Sequence, residues 1–161
     1  VSRFDNEVRI VPSVLDRLLD DRPEETREVP ASRQTSLRLM KQSVRRDLEW
    51  LLNTRLDPNH PAEETSQVAK SIACFGLPDF TSWNVRGGAD QEILRKAVED
   101  AVARFEPRLE GVTVTLETVS EVDRTLRFRI DARLRVEPVP EPVTFDSLLQ
   151  LGSQEFVLSG T

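Results

Sequence analysis

Apolar residues recur along this chain with two different periods, and the changeover lies close to Pro107. Within the stretch Asp90 to Leu109, residues Ile93, Leu94, Ala97, Val98, Ala101, Val102 and Phe105 follow steps of one, three and four. That spacing lines one face of an α-helix. Arg95, Lys96, Glu99, Asp100 and Arg104 fall on the opposite face. Asp90 is placed to cap the first turn, and Glu92 adds negative charge where the helix dipole is positive. Beyond Pro107 the period becomes two. Val112, Val114 and Leu116 alternate with Thr113, Thr115 and Glu117. Leu126, Phe128, Ile130, Ala132, Leu134 and Val136 alternate with Thr125, Arg127, Arg129, Asp131, Arg133 and Arg135. These read as half-buried strands, and the short segment Glu121 to Arg124 makes them an antiparallel hairpin. Val143–Leu151 and Gln154–Leu158, joined at Gly152 and Ser153, form a second hairpin. Pro138, Pro140 and Pro142 predict an edge or crossing segment in preference to a central strand.

Two further helical stripes and one short helix precede this region. Val11 to Asp20 predicts a short helix, with Ser13 as its cap and Val14, Leu15, Leu18 and Leu19 as its apolar side. Residues 20–36 contain Pro23, Pro30 and many charges without apolar periodicity, which marks a polar connector. From Ser36 to Asn53, residues Leu37, Met40, Val44, Leu48, Leu51 and Leu52 form a long stripe, and Arg45 can pair with Glu49 four residues on. Trp50 lies off that stripe, within reach of a cation from Arg46. A third helix is expected over Ala62 to Phe75, with Val68, Ile72 and Phe75 inward and Gly76 at its end. Phe80 and Trp83 in the following loop are expected to cover the core. Helices first and a strand meander second predict an α+β domain, its amino-terminal helices packed on one face of a small, mainly antiparallel sheet formed by the carboxyl-terminal half. A single domain over residues 1–161 is expected.

The junction between the two periods breaks a local rule. Pro107 forces Glu106 out of the helical region. A carboxylate then sits at the negative end of the helix dipole, at a cost of roughly 0.3 to 1 kcal/mol when exposed. Arg108 follows with the compensating charge. The Glu106-Pro107-Arg108 corner is therefore either a local salt-bridged turn or a presented contact.

Composition excludes more than it identifies. The net charge is −6, from 28 acidic and 22 basic residues, so nothing in the overall balance attracts nucleic acid or an anionic membrane. No apolar run approaches the roughly 20 residues needed to span a bilayer, and the beginning of the chain lacks a secretory layout, so a cytoplasmic protein without membrane insertion is expected. Cys74 and His60 are each the single residue of their type, too few for a usual zinc tetrahedron. No nucleophile motif accompanies His60, and no phosphate-binding glycine pattern is present. Catalytic residues, metal and cofactor are all expected to be absent. A pair of carboxylates for sugar hydrolysis has no sequence support beyond abundance, and Glu106 beside Arg108 suits ion pairing better than proton donation. The row Arg127, Arg129, Arg133 and Arg135 shares one strand face. Solvation or acid pairing, protein docking and nucleic-acid contact are its alternatives, in that order.

Three segments carry a family likeness: SVRRDLEWLLNTR over Ser43 to Arg55, FGLPD over Phe75 to Asp79, and FEPRL over Phe105 to Leu109. Together, in this order, they resemble the TssE-like family of type VI secretion baseplate wedge proteins, related to the small wedge protein of contractile-tailed phage baseplates. The likeness covers roughly Val8 to the carboxyl end. It implies a non-enzymatic assembly part that joins TssF and TssG, helps link the wedge to the contractile sheath of TssB and TssC, and sits with TssK in a baseplate docked at the inner membrane complex. It also implies a fold like the linking domain of the sheath subunit. Glu106, Pro107 and Arg108 carry the family's Glu-Pro-Arg motif without substitution, so they are the expected partner-binding residues. Free sheet edges are a second place where a sheath strand could add. The family also bears a lysozyme-like label that no residue arrangement in this chain supports. A regulatory binding module of the same general fold and a peptidoglycan hydrolase are the alternative functions.

Overall fold

The computed structural model describes residues 10–19, 24, 32–59, 67–83, 88–120 and 125–159. His60, Gly87, the turn at 121–124 and most of the connector at 20–36 lie outside the described residues. Among those described, helices α1 (Val14–Leu18), α2 (Arg33–Asn53) and α3 (Gly88–Phe105) precede strands β1 (Leu109–Ser120), β2 (Thr125–Leu134), β3 (Glu141–Gln150) and β4 (Glu155–Ser159). The strands form one antiparallel sheet in sequential order. The α+β class and the order of its halves are as the change of period predicts.

Side-chain alternation turns one sheet face toward the helices. Leu126, Phe128, Ile130, Ala132 and Leu134 of β2 are buried, as are Val143, Phe145 and Leu149 of β3 and Phe156 and Leu158 of β4. They share one core with Val44, Leu48, Leu51 and Leu52 of α2 and Leu94, Val98, Ala101 and Val102 of α3. Each fully buried Leu, Ile or Phe contributes roughly 1.5 to 3 kcal/mol of transfer free energy, so this two-layer contact supplies most of the drive to fold. Phe80 closes one end, edge-on to Phe156 with ring centroids 6.2 Å apart, and Trp83 packs partly buried beside it.

Several expectations need correction. In place of a third α-helix, the described part of 62–75 forms two 3₁₀ turns, Gln67–Lys70 and Ile72–Cys74. A 3₁₀ turn repeats every three residues, so the four-residue step from Val68 to Ile72 does not stay on one side. Ile72 is 89% exposed and Val68 is also exposed, while Ala69 and Cys74 point inward. Helix α1 is shorter than expected, and Val14, Leu15, Leu18 and Leu19 are exposed. Helix α3 starts at Gly88, so Asp90 lies within its first turn, and Ile93 at its margin is exposed. The prolines do not make β3 an edge: Pro142 sits opposite Arg133 at the strand's beginning, where a lost N–H does little harm, and β3 is central. No Arg45–Glu49 pair forms among the described residues. Lys41 reaches Glu141 from α2 instead.

Two devices join helices to sheet. Near its start β1 carries a bulge, with Gly111 at φ +62° and an extra residue between the pairs Glu110–Arg133 and Thr113–Asp131. Farther along, the backbone of Val114 is clasped by α3: its N–H donates to Glu99 (2.9 Å) and its carbonyl accepts from Arg95 (3.0 Å). Arg95, expected on the solvent side, is thereby committed to the sheet edge. The end of α2 is tied to the 75–79 segment by bonds from Leu77 N–H to the Thr54 carbonyl (2.9 Å) and from Leu56 N–H to the Leu77 carbonyl (2.8 Å). Gly76 makes this approach possible. Its φ is +115°, and a Cβ there would stand 2.6 Å from the Thr54 carbonyl oxygen.

Gly76→Ala is therefore expected to lower unfolding free energy by about 2 to 4 kcal/mol, from left-handed strain and the backbone clash together. Urea denaturation measures it. A loss below about 0.5 kcal/mol would show that the approach of the two segments can relax.

Candidate functional site

The end of α3 and the start of β1 meet in a turn fixed by its backbone. The Glu106 N–H donates to the Val102 carbonyl (3.0 Å), the Leu109 N–H to the Glu106 carbonyl (3.1 Å), and the Arg108 carbonyl accepts from Arg135 N–H beyond β2 (2.8 Å). This frame turns Glu106 inward, where it is 4% exposed, and leaves Pro107 exposed. The Arg108 side chain is 20% exposed.

Arg108 meets Glu106 as a fork. Its Nε donates to Glu106 Oε1 at 2.7 Å and Nη2 to Oε2, while its own backbone N–H also donates to Oε1 at 3.1 Å. Bidentate pairs of this kind are among the stronger hydrogen-bonded contacts in proteins. The same guanidinium crosses to α2, with Nη2 on Asp47 Oδ2 (2.5 Å) and Nη1 on the Ser43 hydroxyl (3.0 Å). Burial works against the Arg108 charge, and the carboxylates of Glu106 and Asp47 overcome it, so its pKa is raised. In the isolated subunit both ionic side chains of the corner are paired internally. The salt-bridged turn is thus present, and it extends beyond the turn itself.

The chain of contacts continues to α1. Arg46 donates Nε and Nη2 to Asp47 Oδ1 (3.0 and 2.9 Å) and Nη2 to Asp16 Oδ1 (2.9 Å). The Ser43 hydroxyl lies 2.8 and 2.7 Å from the two Asp16 oxygens. Asp16 also closes a capping box with Ser13, accepting from the Ser13 hydroxyl at 2.6 Å. Helix α1 is therefore held to α2 by its polar side, which explains why its apolar side faces outward. Arg46 also lies over the Trp50 ring, 5.2 Å from its centroid, as the spacing of the two residues suggests.

The arginine row is mostly acid-paired. Arg129 meets Asp146 (3.3 Å), and Glu110 lies between Arg133 (3.4 Å) and Arg135 (3.5 Å). Arg127 stands opposite Glu117 in the register. Among the described residues no cluster of His, Cys, Asp and Glu has the makings of a metal site.

The three sequence segments that carry the likeness converge here. Ser43 and Asp47 meet Arg108, Thr54 meets Leu77, and Phe75 packs edge-on to Phe105 with centroids 5.3 Å apart. Residues 38–139, more than half of the chain, match the family described as baseplate wedge protein gp25. The chain belongs to that family. The resemblance read from the sequence holds at this level, and a baseplate wedge protein is a structural component. A chain from a solved structure titled "The baseplate complex from the type VI secretion system" is similar at 19% identity with a TM-score of 0.49, covering 70% of this chain and 96% of its own. No curated protein matches. Sequence reasoning singled out the corner of this wedge protein but missed Asp16, Ser43 and Asp47. Ser43 was visible as a polar residue beside an apolar stripe; Asp16 gave no signal beyond its capping spacing.

The network makes α1 docking acid-sensitive. Burial tends to raise the Asp16 pKa, but hydrogen bonds from Ser13, Ser43 and Arg46 prevail and lower it to about 2, from 3.8. A depressed carboxylate stabilises the fold above its unfolded pKa and loses that contribution as pH falls through the folded value. Release of α1 from α2 is therefore expected between about pH 4 and pH 2, read by the fluorescence of Trp50 beside Arg46. Asp16→Asn should abolish this phase. An unchanged acid phase in Asp16→Asn would contradict the assignment.

Proposed function

We propose that the chain is the wedge component of a type VI secretion baseplate, a non-catalytic part that joins TssF and TssG and links the wedge to the sheath of TssB and TssC. TssK is reached through the rest of that assembly, on the cytoplasmic side of the inner membrane. Family membership supports the structural role. The observation that supports the finer reading is the geometry of the corner: an exposed proline beside a partly exposed arginine that four hydrogen bonds to Glu106, Asp47 and Ser43 hold in one orientation. In this reading Pro107 and the open rim of Arg108 touch the partner, and Glu106 positions Arg108 from within. A pre-oriented guanidinium loses little conformational freedom on docking, which favours a specific contact.

The arrangement does not favour hydrolysis. Glu106 is engaged by Arg108, and of the two carboxylates lining the cleft beside β4, Glu155 is solvent-exposed and Glu49 half-buried, so neither is enclosed like the buried acid of a glycosidase. Among the described residues no helix is long and apolar enough to cross a membrane.

Pro107→Glu tests the docking role without disturbing the buried pair. The free variant is expected to stay within about 1 kcal/mol of the wild type and to co-purify with TssF and TssG, while sheath assembly on the wedge falls at least tenfold. Normal sheath assembly would contradict the docking role of the corner. Capture of a single soluble partner, without TssF and TssG, would favour a regulatory module.

A further inference from the structure

Arg108 is held from two sides. Glu106 grips it from its own turn, and α2 meets the rest of the guanidinium through Ser43 and Asp47. Neither of these α2 residues is independent of α1. The Ser43 hydroxyl accepts from Arg108 Nη1 (3.0 Å), and its single proton is directed to Asp16, whose two oxygens stand 2.8 and 2.7 Å away. Asp16 thereby turns a lone pair of that hydroxyl toward Arg108. Without Asp16 the hydroxyl is free to turn to an α2 carbonyl one turn back, the ordinary bond of a helical serine.

Asp47 is divided between two arginines. Its Oδ2 takes Arg108 (2.5 Å), while its Oδ1 takes Nε and Nη2 of Arg46 (3.0 and 2.9 Å). Arg46 Nη2 is shared with Asp16 Oδ1 at 2.9 Å, and this second carboxylate keeps Arg46 on the Oδ1 side. Once Asp16 leaves, both guanidinium groups draw on the same α2 carboxylate. Helix α1, which brings Asp16, is itself lightly held. None of its residues is buried, and Val14 and Leu18 are exposed. Among the described residues, the hydrogen bonds and ion pairs that join it to α2 all run through Asp16. An element with so little apolar contact opens at a small free-energy cost. Ile10, four residues ahead of the helix, is buried in the core, so the segment stays tethered when the helix lifts.

We propose that α1 is a latch for the corner: seated, it fixes Arg108 in one orientation through Asp16, Ser43, Arg46 and Asp47, and lifted, it lets the guanidinium turn. Asp16 and Arg46 are then positioning residues for a contact that neither of them makes. The effect is reciprocal by linkage, so a partner that grips the oriented Arg108 tightens α1 on α2 by the same factor. The inference deepens the assembly reading and rests on it only for the use made of the oriented Arg108. The linkage itself belongs to the isolated subunit.

The test uses the full chain and follows rotation of the Arg108 guanidinium about its Nε–Cζ bond by NMR, the signal being assigned by its loss in Arg108→Lys. Asp16→Ala is expected to speed that rotation at least about tenfold, a size usual for coupled sites, while the Ile130 amide keeps its protection from hydrogen exchange. Leu18→Ser alters α1 without touching these bonds and should leave the rotation at the wild-type rate. If the alanine variant does not fold, Asp16→Asn, which keeps the shape and loses the charge, carries the test. A folded Asp16 variant with unchanged Arg108 rotation would overturn the inference, and so would an equal acceleration in Leu18→Ser, which would mark a general loosening. Faster rotation in Asp16→Ala together with normal sheath assembly on wedges that carry it would leave the latch standing and strike the docking role of the corner instead.

Discussion

One guanidinium joins the two halves of this fold. Arg108 leaves the first residues of the sheet, is gripped by Glu106 at the end of α3 and reaches Asp47 and Ser43 on α2. Three carboxylates, Glu106, Asp47 and Asp16, share two guanidinium groups, Arg108 and Arg46. The surplus negative charge is met by the hydroxyls of Ser43 and Ser13, which supply the remaining donors. Glu106 is buried and the other charges are partly so, and removing charge from water is costly, so a network like this adds little net stability over an apolar replacement. Its effect is on geometry. Apolar contacts allow α2 and α3 some freedom to slide, whereas a forked guanidinium accepts few positions.

That difference bears on function. A wedge protein has to present a fixed surface to its neighbours, and the corner is fixed by atoms of its own subunit. Glu106 is buried and engaged by Arg108, so in the proposed docking it has a positioning part behind the exposed Pro107 and the rim of Arg108. The same network accounts for α1, whose polar side is bound to α2 and whose leucines and valines face out. Where the helices meet the sheet edges, side chains again set the arrangement: Arg95 and Glu99 at β1, Asn53 at β4.

Period alone made much of this legible. The stripe of α2, the core face of α3 and the alternation of β2 correspond to buried residues in the fold, because each lies in an element long enough for its period to dominate. Short segments behaved differently. Val68 and Ile72 carry a helical step, but four- and three-residue 3₁₀ turns have no such face, and α1 is too short for burial of its stripe to outweigh the bonds of Asp16. The prolines misled for β3, since Pro142 falls at a strand beginning where its missing N–H is tolerated. The corner was visible as a broken rule at Glu106. Its reach to α2 was not, because Asp47 is 61 residues from Arg108 in the chain and no local pattern links them.

The central claim is that Arg108 couples the sheet to α2 through Asp47. A double-mutant cycle between Arg108 and Asp47, each replaced by alanine and followed by chemical denaturation, measures that coupling free energy directly. The account predicts about 1 to 3 kcal/mol of favourable coupling, largely retained in moderate salt because the pair is partly buried. A coupling below about 0.3 kcal/mol, with the two substitutions simply additive, would contradict it.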